Sequence, residues 1–179
     1  MLDPRREIVA RDAIRVWDPF VRVFHWTLVI AFALAYVVIE PYIVHILAGA
    51  AIAILVAARI VWGFLDTGHA RFADFVYSPV TVLRYVQDLL RFREHDHYVG
   101  HSPGGGYVIL GMLTLLMATV VSGAIAGLAE AQSSITQWHG ILADITLGLI
   151  CVHVAGVLLR SFVYRQNLIA AQFTGYKRH

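Results

Sequence analysis

The stretch TQWHGILADITLGLICVHVAGVLL, Thr136 to Leu159, decides the fold. It is apolar except near His139, Asp144 and His153, and it exceeds the roughly 20 apolar residues needed to cross a hydrocarbon core. A strongly polar side chain inside a membrane span is costly, so its presence points to function. His139 and His153 lie fourteen residues apart. That spacing is close to four helical turns, about 21 Å of rise, with both side chains within about 40° of the same helix face.

Working outward, three more segments are long and apolar enough to span: approximately Val21 to Ile39, Ile46 to Leu65 and Tyr107 to Leu128. Across the 179 residues, 59% are hydrophobic and 15% charged, against about 25% charged in a soluble domain. The expected fold is all-α, an integral membrane four-helix bundle occupying residues 1–179 as one domain. Trp26 at the start of the first span, with Tyr36 and Tyr42 near its end, has the character of an interfacial aromatic belt. A net charge of +2 gives no argument for nucleic acid. The single cysteine, Cys151, falls within an apolar run, where packing is the expected role and neither an internal disulfide nor a cysteine metal pair is available.

Arginine and lysine set the orientation, because they are retained on the cytoplasmic side. Arg5, Arg6, Arg11, Arg15 and Arg22 precede or open the first span, and Arg59, Arg71, Arg84, Arg91 and Arg93 end the second or follow it. Arg160, Arg165, Lys177 and Arg178 follow the fourth, while the connections around Glu40–Pro41 and Glu130 to Ser134 carry none. Both termini are therefore expected in the cytoplasm. The opening MLDPRREIVARDAIRVWDPF is charged and lacks an apolar core, so the first span is expected to act as its own insertion signal.

Between spans two and three, Ser78 and Pro79 precede Val80, Leu83, Val86, Leu89 and Leu90, interleaved with Arg84, Asp88 and Arg91. A serine cap, a proline at the first helical position and this apolar spacing predict a short amphipathic cytoplasmic helix, either a connector or a docking element. His95, His97 and His101 then lead to SPGGG, read as a flexible elbow before span three. With His69 and His179, these histidines fall outside the spans and are expected to be solvated.

Four histidines remain: His25, His45, His139 and His153. Under the predicted topology, His45 and His139 lie near the outer face, and His25 and His153 share the inner level. A lone intramembrane histidine is equally well explained as an interhelical hydrogen bond; two pairs matched in depth are harder to account for that way. Paired imidazoles from facing helices form the ligand set of a six-coordinate haem, and bundle cores hold such cofactors. Zinc would require three or four protein ligands at one level. The expectation is two b-type haems, with His25 and His153 on the inner iron and His45 and His139 on the outer. Arg59, fourteen residues after His45, either pairs with an inner-haem propionate or snorkels to the interface. Gly49, one turn after His45, either admits the flat macrocycle or is an ordinary membrane glycine. Gly123 and Gly127 form a GxxxG pattern in span three read as close helix packing, a span expected to close the bundle. Asp144 is read as hydrogen-bonding a neighbouring helix, with a proton relay as the alternative. A transporter or plain membrane anchor is the remaining reading, and it predicts a colourless protein.

With VFHW at 23–26, VHILAG at 44–49, WHGILA at 138–143 and CVHVAG at 151–156, the chain resembles the bacterial cytochrome b561 family, which includes the b-type cytochrome subunits of nickel–iron hydrogenases. The opening WDPFVRVFHW is similar to members that partner periplasmic c-type cytochromes or hydrogenases. The resemblance implies four spans and two haems held by His25, His45, His139 and His153. It further implies a multi-pass protein of the bacterial inner membrane passing electrons between quinone and a periplasmic redox partner, with homodimerisation left open. Some members instead oxidise superoxide and reduce quinone, so a superoxide oxidase is the alternative. The outer connections, free of Lys and Arg, offer little basic surface to steer that anion, which favours a protein partner.

Overall fold

The computed structural model describes residues 13–15, 19–65, 77–91, 103–128, 134–165 and 167–178. A short strand β1 (Ala13–Arg15) precedes α1 (Pro19–Val37) and α2 (Tyr42–Leu65). There follow α3 (Pro79–Leu90), α4 (Pro103–Leu128), α5 (Ser134–Val163), α6 (Leu168–Thr174) and strand β2 (Tyr176–Arg178). Among the described residues, four apolar helices are long enough to cross a membrane: α1, α2, α4 and α5. All four predicted spans are present, and the helices extend beyond the apolar runs.

The extensions have local causes. Pro19, Pro79 and Pro103 each open a helix, a position where the missing N–H costs nothing and the fixed φ already suits the helix. The SPGGG segment is therefore corrected: from Pro103 through Gly106 it is the first turn of α4, not an elbow. Gly104 faces α3 there, where a Cβ would sit 3.4 Å from the ring of Tyr85, in ordinary contact. The predicted amphipathic helix is α3, with the Ser78 side chain accepting from the Thr81 backbone N–H.

Helix α1 packs on α2, α4 packs on α5, and α2 meets α4 to join the two pairs. Ala31, Ile52, Val56, Leu113 and Leu116 form the core of that junction. Among the described residues of α5 only Thr146 is buried, and α5 makes little direct contact with α1 or α2. Elsewhere the helices present large apolar side chains outward, Val23, Ile30, Ile54, Phe64 and Leu158 among them. A surface this apolar is tolerable in lipid and not in water. Cys151 is also on the outside, so the packing role expected for it is corrected to an outward-facing thiol.

The sequence reading did not anticipate the chain's return after α5. The Leu168 N–H donates to Ser161 Oγ, α6 packs back on α5, and Gly175 closes it in the left-handed conformation at φ 86°. Strand β2 then pairs antiparallel with β1, Ala13 opposite Arg178 and Arg15 opposite Tyr176. Both described chain ends thus meet at one end of the bundle, hereafter the ribbon end. Every described Lys and Arg is placed toward that end.

Thr146 and Thr119 mark the α4–α5 contact. Their hydroxyls lie 3.4 Å apart, and each donates to its own helix, to Leu142 at 2.7 Å and Leu115 at 2.8 Å respectively. Because the intrahelical bonds carry most of the satisfaction, Thr146→Val should cost no more than about 1 kcal/mol. Thr146→Leu overpacks a fully buried position and should cost ~1–3 kcal/mol. Thermal melts in detergent should rank wild type, Val, Leu in falling order; equal melting for Val and Leu would contradict the tight contact.

Candidate haem-ligating site

His45 stands in the first turn of α2, and its partner carbonyl comes from the end of α1. The last carbonyls of a helix lack intrahelical donors, and the Ala35 carbonyl, near the close of α1, lies 2.8 Å from His45 Nδ1. His139, in the second turn of α5, has Nδ1 2.9 Å from the Thr119 carbonyl of α4. A carbonyl only accepts, so in both rings Nδ1 carries a proton, and the neutral imidazole of that tautomer has its lone pair on Nε2. This is the arrangement in which an imidazole is oriented by one nitrogen and ligates a metal through the other.

The two rings lie with centroids 5.9 Å apart and their planes at 85°. Imidazole nitrogens bind metal at about 2 Å, and two such bonds on opposite sides of one atom require a centroid separation of this order. Tyr42 stacks beside His45 at 6.1 Å and 11°.

Helix α4 carries more of this site than the sequence suggested. Ser122 Oγ donates to the Thr119 carbonyl at 2.9 Å and lies 3.4 Å from His139 Nδ1. A Cβ on Gly123 would fall 2.8 Å from His139 Cε1 and 3.0 Å from Nδ1. The GxxxG reading thus has a specific content at its first glycine: the imidazole occupies the space a side chain would take. Gly127 is looser, its nearest atom being the Tyr42 hydroxyl at 3.9 Å.

Toward the ribbon end stand His25 of α1 and His153 of α5. His25 Nδ1 is buried without a hydrogen-bond partner, which distinguishes it from the two far-end rings. Its edge meets Trp26 at 5.1 Å and 88°. Trp26 stacks on Phe173 of α6 at 4.2 Å, a tertiary contact added to the interfacial position read from the sequence. Arg59 is buried at 4% exposure, toward the ribbon end of α2. A Cβ added at Gly49, one turn from His45, would meet no atom within 4 Å. Asp144 accepts a 2.8 Å hydrogen bond from the Tyr36 hydroxyl, the interhelical role expected of it. That bond ties α1 to α5 across helices that otherwise barely touch. His69, His95, His97, His101 and His179 lie outside the described residues.

The residues present fit a haem. Two imidazoles with centroids 5.9 Å apart stand at the far end, and His25 and His153 supply two more toward the ribbon end. Fold and site together define a membrane-embedded b-type cytochrome. The profile of the prokaryotic cytochrome b561 family matches residues 16–175, and the chain belongs to that family. It is also 21% identical to a protein of Rhizobium leguminosarum bv. viciae described as a probable Ni/Fe-hydrogenase B-type cytochrome subunit, over 93% of this chain and 90% of that one. No solved structure matches. Family and fold together make this an electron-transport protein of the inner membrane.

Proposed function

We propose that the chain carries electrons across the membrane through two bis-histidine b-type haems, linking quinone to a periplasmic redox protein such as a c-type cytochrome or hydrogenase. The carrying observation is the far-end pair, with both Nδ1 atoms engaged by carbonyls and the rings 5.9 Å apart. His45 and His139 would hold the outer haem, His25 and His153 the inner. The haem supplies one-electron redox chemistry, and the protein sets ligation, burial and local charge. Two protein ligands on each iron leave no open position, which favours electron transfer over oxygen chemistry. Arg59 would neutralise a propionate of the inner haem, and the space at Gly49 would receive the edge of the outer macrocycle. The relative described as a hydrogenase subunit supports an external hydrogenase as partner.

The concentration of Lys and Arg at the ribbon end supports placing that end, with both termini, in the cytoplasm. A carboxy-terminal green fluorescent protein fusion should fluoresce and an alkaline phosphatase fusion should be inactive; the opposite pattern would reverse the orientation. The haem reading is tested by pyridine haemochrome assay on purified protein. Two b-type haems per chain are expected, and one or none would refute it.

A further inference from the structure

Three polar atoms on one face of α1 are buried without hydrogen-bond partners: Arg22 Nε, His25 Nδ1 and Trp26 Nε1. They belong to residues at i, i+3 and i+4, neighbours on the helix surface. A buried N–H with no acceptor costs about 1–3 kcal/mol, so two such donors beside each other call for an explanation. Both Arg22 Nε and Trp26 Nε1 are donors only. What they lack is an oxygen acceptor, and beside a guanidinium a carboxylate is the best match.

The same two residues are fixed from behind by the carboxy-terminal return. Arg22 Nη2 donates to the Phe173 carbonyl, and the Phe173 ring stacks on Trp26 at 4.2 Å. Ala171, 2% exposed, seats α6 in the fold, and the β1–β2 ribbon closes the turn next to the start of α1. Helix α6 therefore stitches the end of α5, which carries His153, to the beginning of α1, which carries His25. Arg22 is one turn nearer the ribbon end than His25, about 4.5 Å along the axis. A haem ligated at His25 with its propionates toward the ribbon end would bring a carboxylate to this level.

Building on the dihaem reading, we propose that Arg22 and Trp26 form a carboxylate clasp for a propionate of the ribbon-end haem, preset by the Phe173 contacts. Neutralising a carboxylate near the iron favours the reduced haem, which carries one positive charge fewer. Removing either donor should lower the midpoint potential of that haem.

The test compares wild type, Trp26→Phe, Arg22→Gln and Arg22→Lys, as haem-loaded protein in detergent with quinone extracted. Trp26→Phe keeps an aromatic ring against Phe173 and deletes only the N–H. Both Trp26→Phe and Arg22→Gln are expected to retain two haems per chain, to lower the midpoint of the ribbon-end haem alone, and to shift its propionate bending bands in resonance Raman spectra. Arg22→Lys should recover part of the potential because the charge returns. Wild-type potential and propionate bands in both Trp26→Phe and Arg22→Gln would overturn the clasp. So would loss of haem from both positions in Trp26→Phe, which would mark a purely structural role, or a shift seen only when quinone is restored, since a quinone carbonyl also accepts from these donors. The wild-type haem count reports separately on the dihaem reading: fewer than two haems there refutes that reading before any variant is compared.

Discussion

His139→Ala is expected to halve the haem content, from two per chain to one, and to remove one component of the reduced α-band while leaving the other in place. In the proposed dihaem arrangement His139 is the α5 ligand of the far-end pair, and its replacement would leave His45 to hold an iron alone. The ring is fixed between the Thr119 carbonyl and the bare backbone at Gly123. His153→Ala should remove the other component instead. The pairing itself is tested by the remaining two histidines: His45→Ala should give the spectrum of His139→Ala, and His25→Ala that of His153→Ala. If His45→Ala matched His153→Ala, the assignment of partners by depth would fail. The measurements are haem-to-protein stoichiometry and the low-temperature reduced spectrum. Retention of both haems in His139→Ala would exclude His139 as a ligand.

The spans were readable in the sequence because the bilayer leaves few alternatives: a chain crossing hydrocarbon must satisfy its backbone internally, and apolar length betrays the helix. The helix ends were less legible. Hydropathy falls at Pro103 and Gly104, yet proline opens a helix well and this first turn lies against the Tyr85 ring of α3. Histidine depth was legible as simple periodicity on α5, since fourteen residues return to nearly the same face. The part played by α4 was not, because its contribution to His139 is a backbone carbonyl and an absent side chain, neither of which has a distinctive letter. Gly123 was noticed, but its pattern alone could not say that an imidazole fills the gap. The carboxy-terminal return was missed for another reason. A seven-residue helix has little pattern of its own, and it is held by tertiary contacts of Phe173 and by a ribbon whose two strands lie at opposite ends of the sequence. The resulting asymmetry is physical: elements dictated by the solvent announce themselves, while those dictated by a neighbour do not.

Gly123→Val should remove the far-end haem as completely as deleting its ligand, though no histidine is touched. A Cβ at this position would stand 2.8 Å from His139 Cε1, closer than real contacts allow, and valine adds two methyl groups whose χ1 is restricted in a helix. The ring has no easy retreat. Its Nδ1 hydrogen bond to Thr119 comes from the same turn of α4 that would carry the new side chain, so moving away sacrifices the bond that orients Nε2 toward iron. Overpacking at such a contact costs ~1–3 kcal/mol, and losing the Nδ1 partner adds about 0.5–1.5 kcal/mol. Gly123→Ala should be intermediate, retaining haem but shifting the far-end potential and band position as the imidazole is displaced. Gly127→Ala provides the contrast, because its Cβ would approach nothing nearer than the Tyr42 hydroxyl at 3.9 Å, an ordinary contact. If Gly123 served only to bring two helices together, both substitutions would lower the melting temperature and neither would alter one haem selectively. A graded, haem-specific loss from Ala to Val at 123, with wild-type spectra for Gly127→Ala, is the outcome that a glycine shaped around a ligand requires.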